Sequence, residues 1–430
     1  MRYFSLNYNS KNTLFHDAVK RGLAPDRGLY FPERIPKLSK SFFDRIDKMS
    51  IPEMAYRVIK PYVGNQISKD KLMEIVSETL DFEFPIIEIT NDIGALELFQ
   101  GPTLAFKDVG ARFMARALGH LNEVGKEKIM VLVATSGDTG GAVANGFLGV
   151  EGVNVIILYP KGKISEIQEK QLTTLGQNIT AMEVDGVFDD CQEMVKTAFL
   201  DPALSEVNLT SANSINIARW LPQMFYYFIA YRSLKSKNKR LAFSVPSGNF
   251  GNICAGIMGQ QMGLPIDHFI ASTNVNDAVP RYLETGSYYP KPTLQTISNA
   301  MDVGNPSNFV RIQKIFNNDL VKMKKVLSGF RFTDQDTKKA MKEIHKISGY
   351  VADPHGAVGY LGLKEYLVNQ KENLYGVFLE TAHPAKFLDS VNQTLNLEVQ
   401  IPDRLKETLS RNKFSIPIKN YSELRDYLLN

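Results

Sequence analysis

Cysteine is scarce in this 430-residue chain: there are two, Cys191 and Cys254, far apart and in no Cys-x-x-Cys pattern. Neither a disulfide framework nor a zinc site is expected, and both read as small core residues. Long apolar runs are missing too. No stretch approaches the roughly 20 residues of a membrane-spanning helix, so no membrane partner is expected. The opening Met1-Arg2-Tyr3-Phe4-Ser5-Leu6-Asn7-Tyr8-Asn9 lacks the apolar centre of a signal peptide, and Asp17 and Asp26 are out of place in a transit peptide. The cytoplasm is the expected compartment. Charge of one sign is also in short supply, with a formal net charge of +4 and cationic stretches, at 235–240 and 322–325, that are short. These read as solvated faces, and nucleic acid is not an expected partner. Repeats and low-complexity tracts are absent from a chain long enough for two or three domains.

What is present is alternation. The first hundred residues mix helix and strand, punctuated by Pro25, Pro32, Pro36 and Pro52, with helical spacing over 71–80; a small domain is expected over 1–95. From about Ile129, short apolar runs at 129–134, 153–159, 179–185, 241–245, 268–272 and 375–379 predict strands. Helical spacing at 165–175, 188–199, 215–235, 333–347 and 357–369 falls between them. This pattern predicts an α/β fold with parallel sheet covered on both faces.

One lysine has an unusual address. In Gly101-Pro102-Thr103-Leu104-Ala105-Phe106-Lys107-Asp108, a cation follows apolar residues at a predicted helix start. A lysine set into an apolar pocket has a lowered pKa and becomes a free amine able to form a Schiff base, for which pyridoxal 5′-phosphate is the natural aldehyde. Such a cofactor needs a phosphate cradle. Ser247-Gly248-Asn249-Phe250-Gly251-Asn252 lies between the strand at 241–245 and a helix-like run at 253–262, so that backbone amides and a helix N-terminus converge on one anion. It lacks the Lys-Ser or Lys-Thr ending of a P-loop, which argues against a nucleotide. Ligands of open parallel sheets sit beyond the carboxyl ends of the strands. The run Ala134-Thr135-Ser136-Gly137-Asp138-Thr139-Gly140-Gly141 and the run Glu380-Thr381-Ala382-His383-Pro384-Ala385-Lys386-Phe387 both begin at such ends.

Six segments in order carry a family resemblance: Leu96-Glu97-Leu98-Phe99 leading into the Lys107 segment, residues 134–141, Tyr159-Pro160-Lys161-Gly162-Lys163-Ile164-Ser165, Ser211-Ala212-Asn213-Ser214-Ile215-Asn216, residues 245–252 and residues 381–387. Together they resemble the threonine synthases, pyridoxal-phosphate enzymes of the tryptophan-synthase-β fold type, and the longer bacterial and fungal form rather than the plant form with its effector-binding extension. The resemblance implies fold type II, with two parallel-sheet lobes beside an N-terminal α+β domain. It implies a cofactor-binding core over 96–400, with a lobe at about 115–220 that moves, and a C-terminal extension over 401–430.

It also implies roles. Lys107 would be the Schiff-base lysine. Ser247, Gly248, Asn249, Phe250, Gly251 and Asn252 would hold the cofactor phosphate, mainly by amides, and the Thr381 hydroxyl would meet the pyridine nitrogen as a neutral partner. Thr135, Ser136, Gly137, Asp138 and Thr139 would receive the substrate carboxylate, the Asp138 side chain turning from the anion or accepting bonds from the loop. Lys161, Lys163 and Arg219, helped by Ser214 and Asn216, would bind the substrate phosphate, with Arg112 a further candidate. Asp108 stays outside the catalytic set, since a carboxylate at a helix start is favoured by the dipole alone. His383 reads as a hydrogen-bonded loop residue. The implied reaction takes O-phospho-L-homoserine and water to L-threonine and phosphate, on a monomer, without a metal. A dehydratase or β-replacement enzyme of the same fold type would not need the second phosphate site, and intact lysine, loop and Thr381 motifs count against a cofactor-binding protein that has lost turnover and acts through a partner.

Overall fold

The computed structural model describes residues 1–123, 128–368, 370 and 373–430. Three strands, β1 (Arg2–Ser5), β2 (Thr13–Leu14) and β3 (Tyr30–Pro32), form an antiparallel sheet in the order β2-β1-β3. Helices Ile51–Val63 and Lys69–Thr79 follow and pack on each other. Each begins at a serine, Ser50 or Ser68, whose hydroxyl accepts from the amide three residues on.

β4 (Ile86–Thr90) and β5 (Ile93–Glu97) then form a hairpin. One lobe is built on β6 (Ile129–Ala134), β7 (Val153–Pro160), β8 (Ile179–Val184) and β9 (Leu209–Ser211). The larger lobe uses β10 (Arg240–Pro246), β11 (His268–Thr273), β12 (Leu327–Arg331) and β13 (Leu374–Glu380). β14 (Ile416–Ile418) returns to the first of these lobes. The larger sheet runs β12-β11-β10-β13-β5-β4, parallel except for the β4–β5 pair; the smaller runs β14-β8-β7-β6-β9 and is parallel throughout. β11 and β13 are buried at every position, as strands covered on both faces must be.

Several expectations are corrected. The boundary drawn at 95/96 cuts β5, whose register against β13, Ile93 opposite Gly376 to Glu97 opposite Glu380, makes the hairpin part of the large sheet. Residues 401–430 do not stand apart: β14 extends the small sheet, and the helices Asp403–Ser410 and Tyr421–Leu429 pack on Glu166–Thr173 and Phe188–Ala198. Lys413 ties this stretch to Glu169 at 2.7 Å and to Glu183. The continuous helix expected over 215–235 is broken into Ile217–Trp220, a tight turn Leu221–Gln223 and Met224–Leu234, because Pro222 has no amide to continue the ladder. The helix expected over 357–369 starts earlier, at Pro354, where the Asp353 carboxylate accepts from the His355 amide, and runs to Leu367; Asn369 lies outside the described residues. Among the described residues no helix is long and apolar enough to cross a membrane.

Candidate active site

The carboxyl ends of β5, β6, β9, β10 and β13 feed segments into one cavity of about 680 Å³. Beyond β5 the chain reaches Lys107 at the start of helix Lys107–Glu123 through a segment that β13 holds: Leu98 donates to Glu380 O at 2.9 Å, Phe106 to Thr381 O at 2.8 Å, and His383 to Leu104 O at 3.1 Å. Leu104 sits in the left-handed region at φ 57°, an uncommon state for leucine that these bonds impose. Behind it, Asp108 accepts from the Thr103 amide at 2.9 Å and its hydroxyl at 2.6 Å. Asp108 thereby fixes the turn that leads into the helix.

Lys107 faces the cavity, 17 % exposed, with its amine 4.6 Å from the Phe106 ring centroid. Burial pushes its pKa down; Asp138, at 3.7 Å, opposes this, while Lys386 and Arg219 reinforce it.

Across the cavity, Gly248, Asn249, Phe250, Gly251 and Asn252 line the wall at the start of helix Gly251–Gln261. The loop is stiff. Asn249 donates to the Ser214 hydroxyl at 3.0 Å and accepts from the Ser307 amide at 2.6 Å, and Asn252 donates to Pro246 O at 2.9 Å. Both asparagine side chains brace the loop, leaving its amides for an anion. Phe250 is left-handed at φ 62°, its ring buried against Phe309. Gly248 is pressed on the turn Asn299–Met301, where a Cβ would come within 2.8 Å of Met301 Cα. Ser247 does not line the cavity: its amide continues the ladder to Ser272 O and its hydroxyl donates to Val245 O. Thr381 lines the cavity, and the turn after it is capped by the His383 ring, which accepts from the Ala385 amide at 3.1 Å. His383 packs on Phe99, and burial lowers its pKa to about 4, so it is a neutral bracing residue.

On the smaller lobe, Thr135, Ser136, Asp138 and Thr139 line the cavity. The Thr135 hydroxyl accepts from the amides of Gly137 and Gly140 at 3.0 and 2.8 Å, fixing the N-terminus of helix Asp138–Phe147. Gly137, at φ 129°, faces Gln168 rather than the cavity; any Cβ there would meet the Gln168 amide group. Ser214 and Arg219 also line the cavity. Arg219 is buried and donates to Ala212 O, while its Nε has no hydrogen-bond partner among the described residues; burial lowers its pKa to about 10.

Three expected phosphate ligands fall elsewhere. Lys161 is 65 % exposed and turned toward Glu183 at 3.8 Å, and exposed Lys163 does not line the cavity. Both sit past the end of β7, where the chain turns outward at Gly162 (φ 63°). Asn216 is buried as a helix cap, accepting from Ala218 and donating to Val19 O and Ser211 O. Arg112 points away as well, to Glu78 O and to Asp81 at 2.7 Å.

The structure adds residues that sequence reasoning passed over. Lys386 is fully buried, its amine 2.7 Å from Asp138. His355 lines the cavity and its Nε2 accepts from the Ala300 amide at 3.2 Å, which requires the proton on Nδ1, donated to Asp353 at 2.5 Å. Glu380, just before Thr381, is buried beside Asp353, and neither of its oxygens has a hydrogen-bond partner among the described residues; burial first, then Asp353, push its pKa well up. Arg311, fully buried over Trp220, joins Ser214 O, Ile215 O and Tyr30 O.

A buried amine, a stiff amide loop at the head of an 11-residue helix and a hydroxyl at the end of β13 are the fittings that a phosphorylated aldehyde requires, and the glycines leave the loop free of side chains that would fill it. A family model described as pyridoxal-phosphate dependent enzyme matches residues 94–376. The fold and the site therefore define a fold-type-II enzyme whose cofactor is pyridoxal 5′-phosphate.

Models described as threonine synthase N terminus and threonine synthase, C-terminal match residues 2–80 and 356–427. Threonine synthase of Buchnera aphidicola subsp. Acyrthosiphon pisum is 44 % identical over 438 aligned positions, covering 100 % of each chain. The crystal structure of threonine synthase from Escherichia coli matches with a TM-score of 0.93 at 41 % identity, covering 100 % of both chains. An X-ray structure of PLP-bound threonine synthase from Brucella melitensis gives 0.93 at 33 % identity, covering 100 % of this chain and 99 % of that one. This chain belongs to the threonine synthase family.

Proposed function

We propose that the chain converts O-phospho-L-homoserine and water to L-threonine and phosphate, the last step of threonine biosynthesis. The observation that carries this reading is the shielded Lys107 amine in a cavity that offers two anion environments besides the cofactor cradle: the helix start at Ser136–Thr139 and the buried Arg219, with Ser214 lining the same cavity. A dehydratase would need only the first of these.

When bound, the cofactor supplies an electron sink for charge developing on the substrate. In this reading Lys107 would hold the cofactor through its amine and, when that amine is free, would serve as the base for the substrate α proton. The amides of 248–252 would hold the cofactor phosphate, and the Thr381 hydroxyl would serve the ring nitrogen as a neutral partner. Ser136, Thr139 and the amides beside them take the substrate carboxylate. Arg219 and Ser214 take the phosphate that departs, a neutral hydroxyl and a cation being suited to a mobile dianion. Water must add to the β carbon before release, so we propose that the lobe over about 115–220 closes during the reaction.

The two cysteines are buried and unpaired, with thiol pKa values raised to about 12, which suits a reducing compartment such as the cytoplasm. The test is the visible spectrum of wild type and Lys107→Ala, followed by phosphate and threonine assays on O-phospho-L-homoserine. A visible band lost in the variant, with equal yields of phosphate and threonine in wild type, is the expected result. Mainly 2-oxobutyrate would move the assignment to a dehydratase, and colour without phosphate release would indicate a binding protein.

A further inference from the structure

Lys386 is an uncommon residue: a lysine with 0 % side-chain exposure whose amine is fixed by two acceptors, Asp138 Oδ1 at 2.7 Å and Thr103 O at 3.0 Å. The same Asp138 oxygen accepts from Gln168 Nε2 at 3.0 Å. Lys107 is left with the other oxygen, at 3.7 Å, beyond hydrogen-bonding distance. The carboxylate lies between two lysines but is committed to one of them. We propose that Lys386 is a positioning residue for Lys107: by engaging Asp138 from inside the protein, it denies the cavity lysine a close counter-ion and so favours the neutral, nucleophilic form of that amine.

The charges around Lys107 are consistent with this. Asp138 faces it from helix Asp138–Phe147, Lys386 from the turn Pro384–Phe387 and Arg219 from helix Ile217–Trp220. On its own helix, Asp108 is bonded to Thr103, and Arg112 is turned to Asp81; His383, beyond Lys386, is neutral. With Lys386 and Asp138 paired, Arg219 is the other charge that acts on Lys107, and it disfavours a second cation there. The Asp138 carboxyl, which burial alone would push up, is held well below its usual range by Lys386 and then by Lys107. The anchor is firm, since Thr103 is itself fixed by Asp108 and Gln171.

This inference rests on Lys107 being the reactive amine of the proposed reaction, but its test does not depend on turnover. The full-length protein, freed of cofactor, is acetylated briefly at a series of pH values, and labelling of Lys107 is read by peptide mass spectrometry with exposed Lys163 as the internal reference. In wild type the labelling midpoint of Lys107 is expected below that of Lys163. Lys386→Gln, which keeps a hydrogen-bonding group and removes the charge, is expected to raise the midpoint by about one unit, a roughly tenfold loss of labelling at a fixed lower pH. Lys386→Arg is expected to hold the wild-type midpoint, and the acid limb of the pH profile of kcat/KM should follow the same order. A wild-type midpoint at or above that of Lys163 would overturn the proposal without any variant. So would an unchanged midpoint in Lys386→Gln, or an equal shift in both variants, which would show packing rather than charge at work. Shifted labelling in a protein that makes no threonine would sink the proposed reaction and leave the role of Lys386 standing.

Discussion

Gly248→Ala adds one methyl group at the tightest point of the proposed cradle. Its Cβ would lie 2.8 Å from Met301 Cα and 3.0 Å from Ala300 O, both backbone atoms of a turn that His355 holds by accepting from the Ala300 amide. Ordinary contact would require about half an ångström more, and the loop or the turn must give way. Overpacking of this kind costs about 1–3 kcal/mol. The free protein can relax by letting the turn drift, whereas an anion gripped by the amides needs the loop in place, so the penalty falls mainly on binding. It corresponds to a loss of cofactor affinity of about 5- to 150-fold. Gly251→Ala is the matched control. Its Cβ would meet only the Asn308 Nδ2 at 3.3 Å and the Ser214 Cβ at 3.5 Å, side-chain atoms that can move, and alanine suits a helix better than glycine. Titrating each protein with pyridoxal 5′-phosphate, followed by its visible band, should show Gly251→Ala within about threefold of wild type. Equal losses in the two variants, or wild-type affinity in Gly248→Ala, would refute the reasoning from backbone contact.

Glu380 should give stability a pH dependence of defined sign. Its native pKa is raised above an ordinary value of 4.5, so between that pH and the native value the folded protein holds this proton more fully than the unfolded chain. The contribution is complete below about pH 4.5 and is lost as pH rises toward the native value, by about 1.4 kcal/mol per pH unit. Urea melts between pH 5 and 8 should show Glu380→Gln gaining on wild type as pH rises, and parallel curves would contradict a raised Glu380 pKa. At the substrate end, Lys161→Met is expected to leave KM within about twofold of wild type, because that amine faces Glu183. Arg219→Lys should lower kcat/KM for O-phospho-L-homoserine at least about tenfold, since an ammonium cannot both donate to Ala212 O and present a planar face to phosphate; the reverse order of effects would return the phosphate site to Lys161.

Much of the site was legible because its chemistry is local in sequence. A lysine among apolar residues, a glycine loop between strand and helix, and small hydroxyl residues after a strand are each read within about eight residues, and the alternation that places them at strand ends needs only periodicity. The same reasoning applied to Lys386, between Ala385 and Phe387, would have marked it as a second buried amine. What it could not supply was the partner, since Asp138 is brought to Lys386 by the meeting of two lobes.

The failures share that cause. Lys161 and Lys163 carry the charge a phosphate would want, but which way a turn points is set by how β7 enters the sheet and by the pull of Glu183 on the neighbouring lysine. Asn216 has a side chain suited to a substrate, and its neighbours in space, Val19 and Ser211, claim it as a cap. β14 is three residues long and too short to register as a strand, yet pairing with β8 makes it the edge of a sheet. Sequence by itself determined the residue types, their periodicity and hence the class of fold and the cofactor, all properties of neighbours along the chain. Only the tertiary structure decided which lysine faces the cavity, which faces solvent and which is buried with a carboxylate, because burial and charge pairing depend on contacts between segments that the chain itself keeps hundreds of residues apart.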